Sequence, residues 1–230
     1  VLRFDRAEAT LGSFRLSADF EIAAGARIAV IGPSGSGKST LLGMVAGFVP
    51  LSAGRVLWAG KDLSQIPPGD RPVSTLFQDQ NLFPHLSVAQ NVGLGLRPDL
   101  RLSPEQQARV ADALRQVGLE GMADRRPAQL SGGQQSRVAL ARVALRARPI
   151  LLLDEAFAAL GPALKTDMLQ LLERIAGETG TTVLMVTHDP DDARAFAPET
   201  VVVVDGIAQP PAMTGPLLDD PPPALRAYLG

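Results

Sequence analysis

The sequence predicts an α/β fold: a mostly parallel sheet with crossover helices, preceded by strands in the first third of the chain, and an inserted helical segment. Three observations predict it. Short apolar runs bounded by turn residues, "RIAVIG", "ILLLD", "TTVLMVTH" and "VVVVDG", have the length and continuity of strands covered on both faces. Helical stretches such as "STLLGMVAG" and "PALKTDMLQLLERIAG" lie between them, and alternation of this kind is the pattern of a parallel sheet. From about Pro84 to Arg148 the composition changes to helix caps and helical periodicity.

The elements follow in order. "FRLSADFEI", Phe14 to Ile22, alternates apolar and polar side chains as a half-exposed strand does. "RIAVIG" runs into a glycine-rich turn, and a helix begins at Ser39 and stops near Gly47. "GRVLWAG" and "PVSTLFQ" resume strand character. "SPEQQARVADALRQVG" opens on Ser103 and Pro104, a cap followed by a first-turn proline, and closes at Gly118. Near the C-terminal end Asp205-Gly206 predicts a tight hairpin turn. The expected organisation is one domain over 1–230, in which 1–83 and 149–230 form the catalytic core with its β subdomain and 84–148 form the helical subdomain.

Composition narrows the function classes. At 230 residues and 46% hydrophobic content the chain can bury a large core. Its 22 basic and 24 acidic residues are spread along the chain, which argues against nucleic acid as a partner. The absence of cysteine removes disulfides, thiolate metal sites and cysteine nucleophiles, and suits a reducing compartment. "VLRFDRAEAT" has no apolar leader core, and "LLGMVAGFVPLSAG" falls short of the roughly 20 residues that cross a bilayer, so neither a secretion signal nor a membrane span is expected.

"GPSGSGKST", comprising Gly32, Pro33, Ser34, Gly35, Ser36, Gly37, Lys38, Ser39 and Thr40, follows an apolar strand and opens a helix. Glycines let the backbone curl so that N–H groups face phosphate oxygens, and the helix N-terminus adds a favourable dipole. Lys38 would neutralise β- and γ-phosphates and Ser39 would ligate magnesium. An ordinary glycine-rich turn with a solvated lysine does not account for the strand before and the helix after. In "ILLLDEAFAALG" a buried strand delivers Asp154 to the rim of the sheet, where it can hold a magnesium water shell, and Glu155 can deprotonate an attacking water. A solvated acidic strand end would look the same in isolation; Lys38 and Ser39 decide between the two.

"LSGGQQSRVALARVAL", Leu130 to Leu145, places Ser131 at an N-cap, then Gly132, Gly133 and Gln134, then an amphipathic helix. A capped helix that binds nothing would explain the serine but not the Gly132-Gly133-Gln134 run. Here the sequence resembles the ATP-binding cassette family over nearly the whole chain, with its motifs in the family's order. The resemblance implies a P-loop nucleoside triphosphatase with a RecA-like parallel core, an antiparallel β subdomain and a helical subdomain. It implies ATP and Mg2+ as the bound groups, and a homodimer of cassettes in which Ser131, Gly132, Gly133 and Gln134 close over nucleotide held by the partner's phosphate loop. It also implies that Gln78, in "STLFQDQ", reaches magnesium and the attacking water, and that His188, in "MVTHDPDDA", contacts the γ-phosphate. Magnesium would then rest on Ser39, Gln78 and Asp154. His85 has no such support and reads as surface.

Several departures accompany the resemblance. The acids continue as Ala156-Phe157-Ala158-Ala159-Leu160-Gly161, so the aspartate that the family carries at the last position is absent, which implies weaker coordination between paired sites. Ser136 stands where glutamine is common. Where the family stacks adenine on an aromatic ring, spacing back from Gly32 brings Leu11 to that position with Phe14 nearby, which loosens adenine selectivity. The stretch from Arg71 to Leu96 is similar to importers of the family, with Phe83, Pro84, His85 and Leu86 as candidates for contact with an integral membrane permease; a periplasmic solute-binding protein would act indirectly. Among short cassettes the quoted stretches look most like ATPase subunits of bacterial thiamine or thiamine pyrophosphate importers, working at the cytoplasmic face of the inner membrane. The alternatives are another small-solute importer of iron, molybdate or polyamine type, and a soluble cassette outside transport.

Overall fold

The computed structural model describes residues 1–77, 81–223 and 225–226. They form two units, one of Val1–Val73, Pro149–Glu155 and Gly180–Gly230, the other of Ser74–Arg148 and Ala156–Thr179. The second is wider than the 84–148 insert and takes in the long helix after the paired acids.

In chain order the elements are β1 (Leu2–Leu11), β2 (Phe14–Ile22), β3 (Arg27–Ile31), α1 (Lys38–Ala46), β4 (Ala53–Trp58), β5 (Lys61–Asp62), β6 (Val73–Phe77), α2 (Val88–Gly93), α3 (Pro104–Gln116), α4 (Gly132–Arg146), β7 (Ile150–Asp154), α5 (Pro162–Thr179), β8 (Thr182–Val186), α6 (Pro190–Phe196), β9 (Glu199–Val204), β10 (Ile207–Ala208), β11 (Ala212–Met213) and α7 (Thr214–Asp219). Within the first unit the strands run β5-β4-β1-β2-β10-β9-β3-β8-β7, with β11 on β9. β3 lies parallel between β8 and β9, and β7 is parallel to β8. The β1, β2 and β4 strands pair antiparallel. Asp205 and Gly206, at φ 49 and 72, make the β9–β10 hairpin, as their pairing suggested.

β1 is a full strand that alternation alone does not reveal. Leu2 and Phe4 are buried, then Ala7 and Ala9, so the inward parity slips by one. The cause is a β-bulge that shifts register between Phe4 and Ala7 against β2, with Arg6 at φ 47. One core runs beneath this sheet: Phe4 and Phe20 meet at a 45° tilt with ring centroids 4.9 Å apart, and Leu41, Met44 and Val45 of α1 pack with Ile28, Val30, Leu152 and Leu184. α1 is buried on nearly every side, which is why its sequence shows little amphipathic contrast.

The C-terminal end of α1 is held by a buried cation. Arg71, 4% exposed, donates to the carbonyls of Met44 (2.8 Å), Val45 (3.0 Å) and Ile66 (2.7 Å). Those of Met44 and Val45 are carbonyls that a helix end otherwise leaves open, and the positive charge suits that end of the dipole. Gly47 caps the helix at φ 88, and a Cβ there would lie 2.6 Å from the Arg71 Nε. Arg71→Met strands those oxygens away from water, at about 1–3 kcal/mol for a buried unsatisfied group; a lowered denaturant midpoint is expected, and an unchanged one would show the guanidinium to be dispensable.

In the second unit, α2, α3 and α4 each start with the same reciprocal cap, a serine accepting from the third-turn-position backbone N–H while a glutamine side chain accepts from the serine N–H: Ser87 with Gln90, Ser103 with Gln106, Ser131 with Gln134. Val110 and Leu114 of α3, Val138 and Leu140 of α4, and Leu169 and Leu172 of α5 are buried.

Candidate active site

The phosphate-type loop is shaped by what lies under its glycines. Gly32 follows β3 at φ 149, and a Cβ on it would sit 2.0 Å from the main-chain oxygen of Val203 in β9. Gly37 caps α1 at φ 108, and a Cβ there would meet the Phe14 ring at 2.8 Å. Both positions therefore demand glycine for space as well as for φ. Ser34, Gly35 and Ser39 are exposed along the rim, Pro33 and Thr40 half-buried.

Lys38 is 8% exposed and its ammonium donates to the carbonyls of Gly32 and Pro33, both at 2.8 Å. Burial lowers its pKa, opposed by the charges of Glu155 and Asp154. The Ser39 hydroxyl donates to Asp154 Oδ1 at 3.1 Å. Burial raises the Asp154 pKa, the Ser39 hydrogen bond works against that, and Glu155 adds to it. A cation beside Asp154 would relieve this desolvated carboxylate.

Glu155 stands just past β7 with its backbone at φ 50, a conformation that favours glycine. Its N–H donates to the Val186 carbonyl at the end of β8, 3.3 Å, which holds the turn. The result brings its carboxylate to His188, with Oε2 3.9 Å from Nδ1. The histidine's own loop is tied down on both sides. Thr187 donates its N–H to Val30 (3.3 Å) and its hydroxyl to Asp192 Oδ2 (2.8 Å), and accepts from the Asp189 N–H (3.1 Å). Nothing in the residue pattern singled out Thr187 or Asp192; a polar pair five apart across a strand end is too common to carry a signal.

Lys38, Ser39, Asp154, Glu155 and His188 thus share the first unit, along one edge where β3, β7 and β8 end. Gln78 lies outside the described residues. A polyphosphate fits this edge on three counts: Ser36 Oγ is buried with no hydrogen-bond partner, Gly32 and Gly37 leave no room for side chains, and Lys38 supplies a buried cation. No group of three His, Asp or Glu suited to a metal occurs among the described residues, so a cation at Ser39 and Asp154 would take its other ligands from nucleotide and water, the habit of magnesium.

Phe14 and Leu11 part company. Phe14 packs its ring edge on Gly37 and joins the core, whereas Leu11, one residue before the hairpin tip, is 45% exposed.

The Ser131-Gly132-Gly133-Gln134 signature belongs to the second unit. Ser131 Oγ accepts from Gln134 N–H at 3.3 Å and Gln134 Oε1 from Ser131 N–H at 3.0 Å, so the cap is built from the motif's own residues. Gly132 is open, with nothing within 4 Å of a Cβ, while Gly133 is buried and a Cβ there would lie 2.3 Å from Leu164 of α5. The second glycine is thus a packing requirement of α5 besides any contact it makes. Ser136 is fully buried and its hydroxyl donates to the Gly132 carbonyl at 3.1 Å. His85 is exposed and meets the Phe83 ring edge-on at 6.0 Å. No helix among the described residues is long and apolar enough to cross a membrane.

Comparison with known proteins converges on one family. A family model described as ABC transporter matches residues 16–158. The thiamine import ATP-binding protein ThiQ of Cereibacter sphaeroides is 61% identical over 230 residues, covering 100% of both chains. The protein of that name from Ruegeria sp. is 57% identical over the same span, and that of Brucella suis 48% identical over 100% of this chain and 95% of its own. Among solved structures, the dimeric post-hydrolysis state of the ATP-binding cassette MJ0796 bound to ADP and Pi superposes with a TM-score of 0.79 at 30% identity, over 93% of this chain and 99% of that one.

Proposed function

The chain belongs to the ABC transporter family and has the fold of an ATP-hydrolysing cassette, and from that premise we propose that it is the nucleotide-binding subunit of a bacterial importer energising uptake of thiamine or its pyrophosphate. The observation that carries this reading is full-length identity of 61% to a thiamine import ATP-binding protein, together with an intact Lys38–Ser39–Asp154–Glu155 edge. In this reading the loop from Gly32 to Thr40 binds the triphosphate and Lys38 turns from its own carbonyls to the phosphates. Magnesium on Ser39, Asp154 and Gln78 would neutralise charge that develops on the transferring phosphate. Glu155 accepts the proton of the attacking water and His188 steadies the γ-phosphate side.

Ser131, Gly132, Gly133 and Gln134, in a helical subdomain spanning 84–148, close the pocket of a second copy. The dimer sits against the permease at the cytoplasmic face of the inner membrane, and a periplasmic binding protein delivers the solute. Purified complex in vesicles is expected to hydrolyse ATP several-fold faster with thiamine-loaded binding protein; stimulation by another solute and none by thiamine would move the reading to a different importer.

Gly161 bears on how the two pockets communicate. It is open, with nothing within 4 Å of a Cβ, and its carbonyl accepts from Lys165 N–H at 2.9 Å, the N-cap arrangement for α5. Aspartate and glycine at such a cap differ by only a few tenths of a kcal/mol. Gly161→Asp should leave the melting temperature nearly unmoved and steepen the dependence of hydrolysis on ATP concentration. An unchanged rate and Hill coefficient would remove this role for position 161.

A further inference from the structure

The side chain of His188 is 59% exposed, so packing around the ring does little to place it and its backbone must. That backbone is set by its two neighbours, and both use one hydroxyl. Thr187, 5% exposed, accepts at Oγ1 from the Asp189 N–H at 3.1 Å. Its own proton has two acceptors within reach, the Asp192 carboxylate at 2.8 Å and the Asp189 carbonyl at 3.4 Å, and the shorter bond to the carboxylate is the stronger. Asp192 thereby fixes the Thr187 side chain, and with it the turn from which His188 projects.

The peptide unit joining Val186 to Thr187 carries the effect further. Its carbonyl accepts from the Glu155 N–H and its N–H donates to the Val30 carbonyl, both at 3.3 Å. Val30 lies in β3, the strand that runs into the Gly32 loop. One peptide plane therefore joins the turn of the acid, the loop of the histidine and the strand beneath the phosphates. Both of its bonds are longer than a usual N–H···O bond, which leaves the Thr187–Asp192 bond as the tightest restraint among them.

An acid in the first turn of a helix is ordinarily accounted for by the dipole. Here Asp189 already caps α6, accepting from the Asp191 N–H at 3.0 Å, and Asp191 is an exposed first-turn acid as well. The Asp192 carboxylate instead reaches back past the cap to a residue upstream of the helix.

We propose that Asp192 is a positioning residue for hydrolysis: through the Thr187 hydroxyl it holds His188 beside Glu155, where the imidazole meets the γ-phosphate. The proposal rests on the reading of His188 as the γ-phosphate contact. The loop from Gly32 to Thr40 is untouched by Asp192, so its loss lowers turnover and not nucleotide affinity.

The experiment is steady-state ATP hydrolysis by the full-length chain in complex with its permease, with unfolding temperature measured on the same preparations. Asp192→Ala is expected to lower kcat by about 10- to 100-fold, the order of loss that follows a displacement of roughly 1 Å at a reacting group, and to leave KM for ATP within about twofold. Thr187→Val keeps the shape, removes the donor and should give the same split at a near-native unfolding temperature. The double variant should be no slower than the slower single one, because both cut one connection. Asp192→Asn returns an acceptor oxygen and should recover most of kcat. Native kcat in Asp192→Ala and Thr187→Val, with His188→Ala slow, overturns the proposal and leaves the reading of His188 standing. Native kcat in His188→Ala overturns both. A loss in Asp192→Ala that comes with a lowered unfolding temperature and is absent from Thr187→Val would make Asp192 a helix-end acid only, and overturns the proposal.

Discussion

Glu155→Gln is expected to lower ATP turnover by about 10²- to 10⁴-fold, the range that a positioned general base contributes, with nucleotide affinity retained. The residue combines three properties that make the separation clean. Its backbone sits at φ 50, a conformation that glutamine tolerates as well as glutamate. The bond that holds the turn, from its N–H to Val186 at 3.3 Å, involves no side-chain atom. And the carboxylate is the group facing His188 at 3.9 Å, so the substitution removes the proposed proton acceptor and keeps the shape. Phosphate release and fluorescent-nucleotide binding, run on the same preparation, check it. Turnover within a few-fold of the unaltered protein would mean that another group takes the proton, and Asp154, committed to Ser39 at 3.1 Å, would be the next to examine.

Gly32→Ala has the largest expected effect on the fold. The new methyl would lie 2.0 Å from the Val203 oxygen, and that oxygen belongs to β9, a strand paired on both sides, so it cannot swing clear. Overpacking costs roughly 1–3 kcal/mol and a positive-φ alanine a further 1–2 kcal/mol, about 2–5 kcal/mol together. Nucleotide affinity should fall with it, because Gly32 opens the loop proposed to wrap the phosphates and a shift there misplaces the backbone N–H groups that follow. Gly35→Ala is the matched control: φ is 75 but the space is open, so only the conformational part remains. Equal losses at the two positions, measured by denaturant midpoint, would show that contact with β9 does not shape the loop.

Much of this was legible in the residues, and the exceptions have physical causes. The loop from Gly32, the paired acids and the Ser131 cap announce themselves because each needs particular residue types in consecutive positions, and β2, β3 and β7 fall where apolar patterning puts them. β1 is hidden by its bulge: one inserted residue at Arg6 turns a regular alternation into two half-patterns of opposite phase. Arg71 and Asn91 are hidden for a different reason. Each is a polar residue buried to satisfy backbone groups distant in sequence or local to a loop, and no spacing rule distinguishes it from a solvated one. The second unit extends past 84–148 because α5 packs with α4, where Gly133 meets Leu164, a contact that strand and helix alternation cannot convey.

In the proposed dimer, phosphate loop and signature complete one pocket only across two copies. Mixing two inactive chains tests it directly: Lys38→Met lacks a working loop but keeps its signature, and Ser131→Arg lacks the signature but keeps its loop. Paired with each other they contain one whole pocket, so a co-expressed equal mixture should recover about a quarter of native ATPase activity, half the dimers being mixed and each mixed dimer having one good site of two. A mixture no more active than either chain alone, with mixed dimers present, would contradict the account.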